Sequence, residues 1–349
     1  MDLTLPASYF FLLDMLKTIK RLFIAVVLAG LGLVASVAWW SQKPLAMTLA
    51  EGQTVLDLRV PPKSTAMSVA KALNASGVDT SARLLFEWFR WSGQARDIKA
   101  GSYELAPGIT PTQLLDVLVQ GKQALRRVTF IEGWTFKQVR AALAQAPDLE
   151  PVTASWSDAR IMAALGRGAQ HPEGRFFPDT YVYPKHGDDI DVLRQAANHM
   201  DTTLAAVWAK RSARTPVDTP AELLTLASII EKETNHNPDR PLVAGVFANR
   251  LRIGMRLQTD PTVIYGLGDS FDGNLRRDHL RADTPYNSYT RAGLPPTPIA
   301  MPGEASLKAA LAPATTDALY FVAKGNGTSA FSNSLAQHNR AVQRYIFGR

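Results

Sequence analysis

The pattern of apolar and polar positions begins with one long apolar run at residues 22–40, LFIAVVLAGLGLVASVAWW. The run carries no charge and is close to the length of about 20 residues that a helix needs to cross the hydrocarbon core of a bilayer. Three basic residues precede the run and two tryptophans close it, which is typical of a membrane helix with a cytoplasmic N-terminus. The pattern therefore predicts a single transmembrane helix.

This orientation makes residues 1–21 a cytoplasmic tail and places everything after Ser41 outside the inner membrane. A cleaved signal peptide is the alternative interpretation. The apolar run is long for a signal peptide, however, and Ser41-Gln-Lys-Pro44 is a poor cleavage site. Met15 begins a more typical basic start than Met1, so translation from either methionine is compatible with the pattern.

A shorter pattern then recurs three times, with an apolar start, a turn, a Thr, and apolar residues four and eight positions after that Thr. The three units contain Thr65 with Val69 and Leu73, Thr110 with Leu114 and Leu118, and Thr135 with Val139 and Leu143. Since Thr is a favourable N-cap and the spacing buries one helical face, each unit is predicted to be a strand, a turn and a helix. Such pieces are similar to a LysM-like module, a glycan-binding fold, which we assign to residues 45–124. A small α+β spacer that binds nothing is the alternative.

The remaining chain alternates predicted helices with loops. Helices are predicted at residues 141–170, 190–211, from 220 onwards, and at 241–251, 306–311 and 333–346; residues 99–105 form a strand, residues 319–323 and 329–332 form a hairpin, and residues 254–303 are mostly loop. The predicted fold class is α+β. It combines one transmembrane helix, a small LysM-like α/β module and a mixed α+β catalytic domain at residues 125–349.

Composition narrows the chemistry that is available. The net charge of +7 suits nucleic acid, anionic lipid or an acidic polymer, but no zinc-finger spacing or long Lys/Arg run occurs, so nucleic acid is not an expected partner. The absence of cysteine excludes disulfides and thiolate chemistry. The six histidines lack the spacing of metal-binding motifs and no phosphate-binding loop is present, so we expect neither a metal nor a cofactor.

The helix predicted from Pro220 carries the candidate chemistry. Thr219 and Glu222 form a capping-box pattern at its start, and a wide apolar arc leads to Glu231 and Glu233 near its end. Two residues apart on a helix, these carboxylates diverge by about 200° and cannot act as a close pair. A carboxyl group against an apolar wall keeps its proton near neutral pH, as a general acid requires. Glu233 has the more apolar neighbours, but geometry barely separates the two, and an ordinary solvated glutamate at a frayed helix end is the alternative.

The segment 226–234, LASIIEKET, resembles the active-site helix of the endolytic murein transglycosylases, the YceG-like family. The resemblance runs from about residue 125 to 345 and is dense at residues 173–181, 246–251, 255–265, 283–289, 293–296, 331–334 and 338–339. It implies a membrane-anchored enzyme that cuts peptidoglycan glycan strands without water, with Glu233 as the catalytic residue. Protonated Glu233 would donate to the glycosidic oxygen and then accept the proton of the muramoyl C6 hydroxyl, which closes a 1,6-anhydro ring.

The resemblance also implies a sugar cleft around Glu233. The candidate substrate-binding residues are Glu173, Asn249, Gln258, Asp260, Tyr286, Asn287 and Tyr289. Their alternative is structural, with the tyrosines in the core and Asp260 capping a turn. Arg250 and Arg256 are candidates for binding stem-peptide or muramic-acid oxygens, or for structural salt bridges. The expected partners are glycan strands, the inner membrane and peptidoglycan synthases; a non-catalytic glycan-binding scaffold and a hydrolytic muramidase are the alternative functions.

Overall fold

The computed structural model describes the backbone from residue 7 and the side chains from residue 15, in both cases to Arg349. Helix α1 (Ala7–Ser41) contains the predicted apolar run, and its part Met15–Ser41 is long and apolar enough to cross a membrane, with a hydropathy of 2.4. From Met15 onwards, the side chains of this helix are exposed almost throughout. Residues 1–6 of the predicted cytoplasmic tail, with the start at Met1, lie outside the described residues.

The chain divides into two compact units, residues 1–124 and 125–349. After α1, the first unit consists of β1 (Leu56–Val60), α2 (Ala66–Ser76), α3 (Ala82–Trp91), β2 (Gly101–Leu105) and α4 (Pro111–Gln120). Strands β1 and β2 pair antiparallel, with Leu56 opposite Leu105. Thr65 and Thr110 cap α2 and α4 as predicted, each accepting a hydrogen bond from a backbone amide of the first turn. The strand–turn–helix pattern is therefore confirmed, while the LysM-like identity of the unit stays a prediction.

Helix α3 is an element that the sequence analysis did not predict. Ser81 caps it by accepting a hydrogen bond from the Leu84 amide, and Leu85 and Phe89, one turn apart, are wholly buried. Both the cap and the buried face follow ordinary rules, so the signal was present in the sequence.

The second unit begins with β3 (Leu125–Thr129), α5 (Phe136–Ala144), β4 (Leu149–Glu150), α6 (Asp158–Ala164), β5 (Thr180–Pro184), β6 (Gly187–Asp188) and α7 (Asp189–Trp208). It continues with α8 (Pro220–Glu233), α9 (Arg240–Arg252), α10 (Asp260–Leu267), a 3-10 turn (Gly268–Ser270), α11 (Arg277–Arg281), α12 (Glu304–Leu311), β7 (Tyr320–Ala323), β8 (Ser329–Ser332) and α13 (Leu335–Tyr345). Helix α8 packs against α7, α9, α10 and α12, and its apolar residues lie in the core that these helices share. A second core lies between α5, α6, α7 and the antiparallel pair β3–β5. The unit is mixed α+β, as predicted.

One prediction for this unit was wrong. Residues 141–170 are not one helix, because α5 ends at Ala144 and the chain turns through Pro147 and Asp148, whose backbone is left-handed with a φ of 54°. Helix structure returns only for the two turns of α6, which Ser157 caps. Residues 254–303 are mostly loop, as predicted, and are interrupted by α10 and α11; the start of α10 places Pro261 at a position that needs no amide hydrogen bond.

Candidate active site

Helix α8 is held in place from its first turn. The side chain of Thr219 accepts a hydrogen bond from the Glu222 amide at 3.2 Å, and Glu222 accepts one from the Thr219 amide at 3.1 Å, which is the predicted capping box. Residues 223–231 are all buried, so the helix is enclosed on every side and not only along one apolar arc. The last residue of α8, Glu233, is therefore held in position by a rigid, closely packed helix.

The two glutamates at the end of α8 lie in different surroundings. The Glu231 side chain is 3% exposed; its Oε1 lies 3.4 Å from the guanidinium of Arg240, itself 6% exposed, and its Oε2 accepts a hydrogen bond from the Gly303 amide at 2.9 Å. A buried carboxylate that is paired with a cation and bonded to an amide has no free role in proton transfer. Glu231 therefore ties the end of α8 to α9 and to the loop before α12.

Glu233 is partly buried and makes no ion pair among the residues whose side chains are described. Burial raises the pKa of its carboxyl from 4.5 to about 7; a hydrogen bond from Thr259 lowers this pKa, Asp260 raises it and Arg250 lowers it, each to a smaller extent. Thr259 Oγ1 donates to Oε1, which leaves Oε2 to carry the proton. The raised pKa expected from the apolar neighbours is present, and its main cause is desolvation.

Glu233 lines a pocket of about 350 Å³ in the second unit. The pocket is also lined by Phe247, Arg250, Leu257, Gln258, Asp260, Tyr289, Tyr320, Phe321, Leu335 and His338. Tyr289 donates a hydrogen bond to Asp260 Oδ1 at 2.5 Å, so one phenol and one carboxylate form a fixed polar edge. The structure thus brings together four of the eight predicted site residues: Glu233, Gln258, Asp260 and Tyr289.

Glu173 and Tyr286 lie in a second pocket, of about 820 Å³, which Tyr265 of α10 also lines. The Glu173 side chain accepts hydrogen bonds from the Phe136 amide at 3.0 Å and from Tyr265, and the residue is 3% exposed. Burial raises the pKa of the Glu173 carboxyl to about 7. Glu173 and Asp260 line different pockets, and α10 supplies residues to both.

Asn249 and Asn287 both bond to the backbone. The Asn249 amide group donates to the carbonyls of Thr316 and Ala318 at 2.9 and 3.0 Å. Asn287 is 0% exposed, donates to the Ala282 carbonyl at 2.7 Å and accepts from the Tyr289 amide at 2.8 Å. Neither residue lines the Glu233 pocket, and Asn287 fixes the loop that presents Tyr289 to it.

The predicted arginines also bond to the backbone. Arg250 donates to the carbonyls of Leu319 and Leu257 at 2.7 and 2.6 Å, and Arg256 donates to the Tyr289 carbonyl at 3.0 Å. The guanidinium of Arg250 also lies 5.2 Å from the ring centre of Tyr320. These contacts join α9 to the strand that forms one wall of the pocket.

Several residues at the pocket were not singled out from the sequence. Thr259 is the hydrogen-bond donor to Glu233, and Tyr320 and His338 form the wall provided by the C-terminal hairpin and α13. Thr259 and His338 lie inside or beside stretches that carry the family resemblance, which was the only available signal. Among residues 15–349, no three His, Asp or Glu side chains are grouped as metal ligands.

Comparisons with known proteins agree on one family. The sequence model described as the YceG-like family matches residues 58–344. The chain is 32% identical over 313 residues to the endolytic murein transglycosylase of Bacillus subtilis strain 168, covering 85% of this chain and 86% of that protein. It is 26% identical over 330 residues to the endolytic murein transglycosylase of Streptococcus pneumoniae, covering 85% of this chain and 59% of that protein. The crystal structure of a YceG-like protein from Listeria monocytogenes matches with a TM-score of 0.55 at 30% identity, covering 82% of this chain and 98% of that one.

Proposed function

Because the chain belongs to the YceG-like family, we propose that it is an endolytic murein transglycosylase that cleaves peptidoglycan glycan strands between N-acetylmuramic acid and N-acetylglucosamine. The observation that carries the proposal is Glu233, a carboxyl whose pKa burial raises to about 7 at the wall of a pocket. A group with such a pKa can both donate and accept a proton near neutral pH.

The proposed reaction uses Glu233 twice. Its protonated Oε2 donates to the glycosidic oxygen, the bond from that oxygen to the muramoyl C1 breaks, and the N-acetylglucosamine side leaves with a new hydroxyl. The Glu233 carboxylate then accepts the proton of the muramoyl C6 hydroxyl as O6 bonds to C1. The product carries a 1,6-anhydro end, no water is consumed, and the proton is back on Glu233 for the next cycle.

Thr259 and the surrounding apolar core balance the two halves of this cycle. Burial favours the protonated acid, while the hydrogen bond from Thr259 favours the carboxylate. Asp260 and Tyr289, fixed to each other, offer polar contacts for sugar hydroxyls, and Gln258 adds an amide to the same pocket.

The order of the segments along the chain suits an enzyme that acts on newly made peptidoglycan at the membrane. We assign α1 as a single-pass anchor in the inner membrane with a cytoplasmic N-terminus, residues 45–124 as a LysM-like module, and residues 125–349 as the catalytic domain. Cutting within a strand near the membrane would release glycan from its membrane-linked end and stop its elongation. Peptidoglycan synthases, which make that strand, are the expected protein partners.

A hydrolytic muramidase is the second candidate, because Asp260 lines the same pocket as Glu233. Hydrolytic glycosidases use two carboxyl groups, one to protonate the leaving oxygen and one to activate water or form a covalent intermediate. The bond from Tyr289 to Asp260 favours a positioning role for this carboxylate, which supports the transglycosylase.

Product analysis tests the proposal. The full chain, solubilised in detergent, is incubated with uncross-linked glycan strands, and the new ends are identified by mass spectrometry. Anhydro ends support the transglycosylase, reducing ends indicate the muramidase, and intact strands indicate a binding scaffold. Glu233→Gln is expected to abolish cleavage, and Glu304→Gln, a change at an exposed ion pair on α12, is the matched control that should cleave normally.

A further inference from the structure

His338 of α13 lines the Glu233 pocket without a hydrogen bond to its ring. Its Nδ1 is buried and has no partner, and its Nε2 has none among the residues whose side chains are described. Buried polar atoms in folded proteins are rarely left without a partner, because such an atom loses its hydrogen bonds to water and gains none within the protein. The imidazole therefore brings to this pocket a hydrogen-bonding capacity that residues 15–349 do not use.

The ring of His338 stacks on the ring of Tyr320, which Arg250 also contacts. It lies 5.2 Å from the ring of Tyr320 at an interplanar angle of 23°, and the guanidinium of Arg250 lies 5.2 Å from the same tyrosine ring. Arg250 is itself fixed by the carbonyls of Leu319 and Leu257. The imidazole is thus placed by contacts with its face, which leaves the ring edge with the accessible Nε2 for another partner.

The same surroundings keep the imidazole neutral. Burial lowers the pKa of His338, and the positive charge of Arg250 lowers it further. A neutral imidazole has one donor and one acceptor nitrogen, which matches sugar hydroxyl and N-acetyl groups, since these also combine donors and acceptors. A charged imidazole would instead suit carboxylates, but the positive charge of the neighbouring Arg250 makes the charged form of His338 less favourable.

We propose that His338 contacts the substrate directly, forming a hydrogen bond from its neutral imidazole to a sugar hydroxyl or N-acetyl group seated beside Glu233. The role is in binding and orientation of the sugar, and no proton is transferred. This inference rests on the proposed function, because it takes the occupant of the pocket to be a saccharide.

The test measures binding in a background that cannot cleave. The full-length Glu233→Gln chain in detergent is titrated calorimetrically with a tetrasaccharide of alternating N-acetylglucosamine and N-acetylmuramic acid. His338→Phe keeps an aromatic ring on Tyr320 but removes both nitrogens, while His338→Asn and His338→Gln place an amide near the positions of Nδ1 and Nε2. His199→Ala, a change at a half-exposed histidine of α7 away from the pocket, is the control.

His338→Phe is expected to raise the dissociation constant about two- to tenfold, the range that one lost hydrogen bond produces. One of the two amide variants should recover most of this loss, and His199→Ala should bind like its parent. If the Phe variant binds as tightly as the parent, or if both amide variants bind no better than Phe, this inference is overturned and the saccharide assignment stands. If the Glu233→Gln parent itself binds no tetrasaccharide, the proposed function fails, and this inference with it.

Discussion

Replacing Glu233 by Gln should make the protein more stable at alkaline pH while removing its activity. The folded chain holds the proton of Glu233 up to about pH 7, whereas the unfolded chain releases it near its ordinary value of 4.5. Below pH 4.5 both states are protonated and burial carries no charge penalty. Between pH 4.5 and 7 the carboxyl ionises in the unfolded chain but stays protonated in the folded chain. The free energy of unfolding therefore falls over this range.

The size of this effect follows from the pKa difference. Each pKa unit corresponds to about 1.4 kcal/mol, so the shift of Glu233 costs about 2–3 kcal/mol above pH 7 once its partial exposure is allowed for. Gln is neutral at every pH and avoids this cost. The variant should therefore match the wild type near pH 4 and exceed its free energy of unfolding by about 2–3 kcal/mol at pH 8.

Urea denaturation of the full chain in detergent, followed by tryptophan fluorescence at both pH values, measures the difference. Glu173, whose pKa burial also raises to about 7, is unchanged in the variant and so cancels in the comparison. Glu231→Gln is the contrasting control. It leaves the buried Arg240 without its carboxylate and should lower stability by about 3–5 kcal/mol at pH 8.

The reasoning is refuted if Glu233→Gln is no more stable than the wild type at pH 8, or if it is stabilised equally at pH 4. The first result would mean that the carboxyl is well solvated in the folded chain. The second would mean that any gain comes from packing and not from ionisation. Retention of full glycan cleavage by the same variant would separately remove Glu233 from the proposed mechanism.

Three further outcomes follow from the same contacts. The kcat/KM for glycan cleavage should fall above about pH 7, since Glu233 then loses the proton it must donate; a rate that stays flat to pH 9 would contradict this assignment. Thr259→Val removes a hydrogen bond that lowers the Glu233 pKa, so the alkaline limb of the pH–rate profile should move upward by up to about one unit, whereas an unmoved limb would show that the bond is unimportant. Gly174→Ala should lower the free energy of unfolding by about 1–3 kcal/mol in urea denaturation, because the backbone there has a φ of 78° and a Cβ would lie 2.6 Å from Pro298; unchanged stability would show that this segment yields easily.

Helix starts and the sides of helices that face the core were predictable from short stretches of sequence. Thr65, Thr110, Thr135 and Thr219 each cap the helix predicted after them, because a cap needs only a side chain and an amide three residues later. Where the expectation failed, at residues 145–157, a proline and a left-handed aspartate interrupt an otherwise helical composition. Both residue types favour a turn over a helix, so the sequence contains the signal for this interruption.

The choice between Glu231 and Glu233 as the proposed catalytic residue depends on more than a short stretch of sequence. Spacing along α8 showed that the two carboxylates diverge. The family resemblance and the more apolar neighbours of Glu233 favoured the second, but local geometry barely separated them. The difference comes from Arg240 and Gly303, which occupy Glu231, and from Thr259, which bonds Glu233. These partners lie 9, 72 and 26 residues away along the chain.

The separation of the candidate residues into two pockets has the same origin. Nothing in the spacing of Glu173, Asp260, Tyr286 and Tyr289 indicates that α10 supplies residues to two distinct cavities. Local rules act over one or two turns, so they specify where helices begin and which side is apolar. Desolvation and charge pairing depend on groups that meet only when distant segments pack together, and these two effects decide which carboxyl keeps its proton.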